Sequence, residues 1–251
     1  MIIEQIFYTV TASITMVLTV LTLQRLLSGW WRRYYLLALI LVLGLASVVP
    51  PIASWVSNGS FRLLGGQRLY WMQALMSQVA LALLVLQLIY RVGLEIPGRA
   101  TLVRFLTFAS ILAAGISVAF HFDNRPNAFM ALVARDLTFL AAILNMILWR
   151  FLIQVRKRDF LLLAVSAGVG IQCTGDAIGH SFRILARQVG SATEVYEFGN
   201  VLMSLAAVMT VAIWHTAFSR SKYKAPQESG DETNPVVSVS GTHVAVTEPR
   251  A

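Results

Sequence analysis

Ionisable side chains inside long apolar runs are costly, about 2.5–3.5 kcal/mol each on insertion scales, so their placement carries information. Arg135 and Asp136 lie side by side in one such run. Gln172, Asp176 and His180 fall at intervals of four in the next, and Glu197 and Asn200 stand three apart in the one after. Residues three or four apart share a helix face, so Asp176 and His180 can meet one ligand together, as can Glu197 and Asn200. Arginine in such a setting suits a carboxylate or phosphate group. Adjacent residues point about 100° apart on a helix, so Arg135 and Asp136 are each expected to find a partner on another helix, Arg135 favouring Asp176 or Glu197. Three chemistries follow from this set. A structural ion-pair network would neutralise Arg135 with Asp176; a pocket for a small molecule or lipid headgroup would use Arg135, Asp136, Gln172, Asp176, His180, Glu197 and Asn200; a metal site would draw on Asp176, His180 and Glu197.

The elements that must hold these residues are membrane helices. The chain has 251 residues, of which 57% are hydrophobic and 13% charged, with a mean hydropathy of +0.69. A soluble domain carries roughly a quarter charged residues. This composition excludes a soluble enzyme and makes nucleic acid the wrong explanation of the +8 charge. Seven segments are long enough, at roughly 20 residues, to cross a bilayer: 5–27, 34–56, 70–90, 101–121, 127–149, 160–182 and 195–218. The expected fold is therefore all-α, a seven-helix transmembrane domain over 1–218, followed by a polar, basic tail over 219–251 that buries too little apolar surface to fold alone. The first apolar stretch follows Glu4 and meets no positive charge until Arg25, which is not the pattern of a secretory signal. Pro50-Pro51 is expected to end or kink the second helix.

Orientation follows from the basic residues. Thirteen Lys and Arg side chains fall in the segments after helices one, three, five and seven, against five on the opposite side. By the positive-inside rule the amino terminus faces out and the carboxyl terminus faces the cytoplasm. In this frame the candidate residues gather in the outer half, a bowl open on one side, while the inner half offers uncharged Gln24, Gln87, Asn145, Ser204 and Thr210. Trp30, Trp31, Tyr34, Tyr35 and Trp214 read as interface anchors. Gly175-x-x-x-Gly179, with Gly168 one heptad earlier, reads as a stripe for close helix approach. The single cysteine, Cys173, allows no internal disulfide.

The chain resembles uncharacterised bacterial seven-helix integral membrane proteins of similar length, through its seven apolar segments, the Trp30-Trp31-Arg32-Arg33-Tyr34-Tyr35 turn and the lack of an output domain. It is similar in layout to the seven-helix sensor regions that precede histidine kinases. It is not a retinal protein: Lys157, Lys222 and Lys224 are its only lysines, and none falls in helix seven. The resemblance implies a multi-pass protein of the cytoplasmic membrane and carries no site residue with it. The expected function is a sensor-like or accessory module that binds a small molecule or lipid headgroup and acts through a separate membrane or cytoplasmic protein partner. The alternatives are a membrane-embedded metal-dependent hydrolase, a small-solute transporter and a structural subunit of a membrane complex.

Overall fold

The computed structural model describes residues 2–58, 66–94, 100–122, 126–154, 159–189 and 193–221, with side chains placed for 6–47, 72–93, 100–122, 128–154, 159–186 and 193–221. Outside the described residues lie Gly59-Ser60, the cations Arg62, Arg99, Arg125 and Arg156 to Arg158, Asp123, and the tail from Lys222; the side chain of Glu4 is likewise outside them.

The described residues form seven α-helices: α1 (Ile2–Arg25), followed by a short turn (Leu26–Trp30) kinked at Gly29, α2 (Tyr35–Asn58), α3 (Gly66–Leu94), α4 (Ala100–His121), α5 (Pro126–Gln154), α6 (Phe160–Val189) and α7 (Thr193–Arg220). Six are long and apolar enough to cross a membrane, and α2 adds a shorter described apolar stretch, Tyr35–Ser47. The helices pack as a ring in the order α1, α2, α3, α5, α6, α7, which closes through α1 against α7; α4 lies outside the ring against α5 and α3. Phe105, Phe108, Ile111 and Phe120 of α4 point away from the bundle, more than 60% exposed, an apolar surface that fits lipid and not water.

Several helices are longer than the apolar runs that announce them, because charge does not stop a helix while glycine and proline do. After residue 182 the chain continues Arg183 to Val189 with no breaker before Gly190, so α6 extends to Val189. α3 ends at Leu94, ahead of Pro97, and α4 begins after Pro97-Gly98. α7 runs to Arg220, two residues past the expected tail boundary. Pro50-Pro51 does not end α2, which continues to Asn58. In apolar surroundings an unwound backbone has no water to bond, so a helix lacking two donors costs less than a broken one.

α6 and α7 make the most extensive contact, and its cause is the glycine stripe. A Cβ on Gly168 would strike the Trp214 indole, one on Gly175 the Cβ of Ala206, and one on Gly179 the Met203 side chain. The close approach lets side chains bond across to backbone: Thr210 Oγ1 donates to the Gly168 carbonyl at 3.0 Å and Trp214 Nε1 to the Val165 carbonyl at 3.2 Å. Trp214 is therefore a buried packing residue, not an interface anchor.

Tyr34 is also corrected. It is fully buried where α1 turns into α2, its ring edge-on to Phe218 at 5.8 Å and near Trp30 at 6.4 Å, with the Arg91 and Arg33 guanidinium groups 5.6 and 5.8 Å from its centre. Burial pushes its phenol up to about 12. Trp31 and Tyr35 are half exposed. At the same end Asp159 precedes the apolar run of α6 and caps it, accepting the N–H groups of Leu161 and Leu162 at 3.1 and 3.2 Å, while Arg33 reaches it at 2.9 Å.

Candidate functional site

The candidate residues separate into three groups. The first is built between α4 and α5. Asp136 receives Arg135 on one oxygen, from Nε at 3.1 Å and Nη2 at 2.9 Å. Its other oxygen accepts Ser117 at 2.8 Å and lies 3.0 Å from His121 Nε2. The expectation that Arg135 reaches across to Asp176 or Glu197 is thus overturned. The guanidinium chain is long enough to fold back onto its sequence neighbour, and both alternatives already have donors. Arg135 and Asp136 keep about 30% of their side-chain surface exposed.

The second group surrounds Asp176, which lies 16 residues into α6 and so about 24 Å along it. Because α6 continues to Val189, this is the middle of the helix. Asp176 is only 4% exposed. Gln172 Nε2, one turn earlier, lies 2.9 Å from both carboxylate oxygens, and Gln78 Nε2 on α3 donates to Oδ2 at 2.9 Å. Among the described residues no Arg, Lys or His nitrogen lies within 4 Å of this carboxylate. The outward amide of Gln78 is settled by its bond to Asp176, and its Oε1 is buried with no partner. His180 is buried one turn further along the same helix.

The third group joins α1 to α7: the Tyr8 hydroxyl donates to Glu197 Oε2 at 2.8 Å. Asn200, half buried, makes no hydrogen bond among the described residues. Nearby Arg183, 8% exposed, donates to the Tyr196 hydroxyl at 2.9 Å and sits 5.0 Å from the centre of that ring.

A cavity of about 630 Å³ runs through the middle of the bundle among α1, α2, α3, α6 and α7. Asp176, Gln172 and Gln78 form its polar wall; Thr11, Thr15 and Thr19 line it from α1 at helical spacing, and Ser204, Thr210 and Trp214 from α7. It extends toward the carboxyl end of α7 and is not confined to the half in which α1 begins. Of the seven expected ligand residues, it brings in Gln172 and Asp176. Arg135, Asp136, His180, Glu197 and Asn200 do not line it. Its lining residues that are exposed, Ala12, Met16, Gly44 and Ser47, all belong to α1 and α2, so the opening lies between those two helices.

Sequence reasoning missed Gln78, Tyr8 and Ser117. Gln78 had a signal: it is a carboxamide deep in an apolar run, where an unpaired polar group costs several kcal/mol. Tyr8 and Ser117 have none, since tyrosine and serine are ordinary in membrane helices. Among the described residues no three His, Cys, Asp or Glu side chains are grouped so as to hold a metal ion. The fold and the site define an all-helical, multi-pass membrane protein with a largely apolar central cavity that is polar around Asp176. No family model, no curated protein and no solved structure matches the chain.

Proposed function

We propose that the chain is a ligand-binding module of the cytoplasmic membrane, with its amino terminus outside and its carboxyl terminus inside. It is sensor-like or accessory in action: occupancy of the cavity shifts the surrounding helices, and a separate protein partner reads that shift at the cytoplasmic end. The observation that carries this reading is the cavity itself. Its volume falls within the roughly 300–1,000 Å³ of small-molecule sites, and a buried carboxylate stands in its wall. The thirteen-to-five bias of basic residues supports the orientation.

The test is native mass spectrometry of the gently purified protein beside an Ala207→Phe variant, which places a ring in the cavity. A small molecule that co-purifies with the wild type and is absent from the variant supports the reading. Identical spectra from two folded proteins overturn it and leave the cavity as a packing feature.

A further inference from the structure

The chemistry of the cavity wall narrows what it binds, given that the cavity is a ligand site. The Thr11, Thr15, Thr19 and Thr210 hydroxyls and the Trp214 indole N–H of its lining are spent on backbone carbonyls, and the one acidic or basic side chain among its lining residues is Asp176. Asp176 is an ionisable acid with only two carboxamide donors and no cation within 4 Å among the described residues. The same bond turns Gln78 Nε2 to the carboxylate, while Gln78 Oε1 is buried without a partner and closed off from the open space. In hydrocarbon, a carboxylate held only by neutral donors lacks a counter-charge, which a cationic donor in the cavity supplies. The opening, between α1 and α2, lies on the flank of the bundle, so a ligand reaches it from the acyl-chain region.

We infer that the cavity takes a membrane-soluble organic amine, whose ammonium group is held by the Asp176 carboxylate, itself positioned by Gln78 and Gln172, while its apolar body extends toward the gap between α1 and α2. A neutral alcohol supplies a donor and no charge. A carboxylate brings a second negative charge to Asp176. The site therefore ranks three otherwise identical molecules as amine, then alcohol, then acid.

The test is calorimetric titration of the full chain, in nanodiscs of phosphatidylcholine, with 4-phenylbutylamine, 4-phenylbutanol and 4-phenylbutanoate. The amine is expected to bind roughly tenfold or more tightly than the alcohol, and the acid weakest. Asp176→Asn should abolish the preference for amine over alcohol. Gln78→Met, which keeps side-chain volume and so tests the site if Asp176→Asn fails to fold, should weaken the amine several-fold and leave the alcohol unchanged. Equal binding of amine and alcohol, or a preference that survives in both variants, overturns the ammonium assignment. If Ala207→Phe then abolishes both, the cavity remains a ligand site of another chemistry. If none of the three molecules binds to the wild type, the amine assignment falls, and co-purification decides separately whether the cavity is occupied.

Discussion

Asp136 and Asp176 are the same side chain in neighbouring helices, and the bundle treats them in opposite ways. Asp136 is about 30% exposed and saturated, with a guanidinium on one oxygen and a hydroxyl and an imidazole on the other. Asp176 is buried, has only neutral donors, and stands in the wall of a cavity. An acid that has been given its counter-charge is part of the scaffold. An acid left without one, next to space, is where the proposed ligand would complete it. Counting ionisable residues in membrane helices cannot make this distinction; counting their partners does.

The largest effect that separates the two concerns stability. Asp136→Leu leaves Arg135 in the bundle with its counter-ion removed, and we expect a loss of about 2–4 kcal/mol, at the lower end of buried-pair values because the pair is partly exposed. Arg135→Leu combined with Asp136→Leu removes both charges and should recover most of that loss, within about 1 kcal/mol of wild type. Reversible unfolding in mixed micelles of increasing denaturing detergent measures both. Asp176→Asn should change the same midpoint by less than about 1 kcal/mol, since the amide keeps an acceptor oxygen. If Asp176→Asn is the more damaging substitution, the contrast between scaffold and site is reversed.

How much of this could be read in the sequence depends on the kind of interaction. Length and hydropathy gave seven apolar segments, and the structure has seven helices at those places. The spacing of Gly168, Gly175 and Gly179 announced a close helix pair because a missing side chain has one steric meaning, and α7 fills it. The site was less legible. Arg135 and Asp176 looked complementary, but a pairing is decided by which donors reach first, and Gln78 comes from a helix whose register no local pattern reveals. The place of Asp176 along α6 is hidden for a related reason: the apolar run stops near residue 182, and the polar end beyond it is helical too. Of the cavity only Gln172 and Asp176 were legible; the rest is a space among five helices and a property of no single segment.

A smaller effect tests where the site opens. Gly44 borders the cavity on α2, is exposed, and has nothing within 4 Å of where a Cβ would stand. Gly44→Phe therefore fits without strain and puts a ring across the gap between α1 and α2. Association of 4-phenylbutylamine, followed by stopped-flow fluorescence, should slow by roughly tenfold, while the unfolding midpoint moves by less than about 0.5 kcal/mol. An unchanged rate would mean that ligands enter along the bundle axis.

The smallest effect compares two orphaned oxygens. Gln78 Oε1 and the Tyr34 hydroxyl are both buried without a hydrogen-bond partner. Gln78 borders the cavity; Tyr34 is packed among Trp30, Phe218 and two arginines where α1 meets α2. Tyr34 does not line the cavity, so removing its oxygen should leave amine affinity untouched. Tyr34→Phe should also be neutral or stabilising by up to about 1 kcal/mol at pH 8, because an unmet polar group is removed. The phenol is held up near 12, from 10 in the unfolded chain, so its contribution is fully present below pH 10 and is lost as pH rises through 12. Wild type should therefore lose stability faster than Tyr34→Phe between pH 10 and 12, with unfolding midpoints in the two proteins diverging only in that window. A loss of amine binding in Tyr34→Phe would show that amine affinity is not governed by the cavity wall alone.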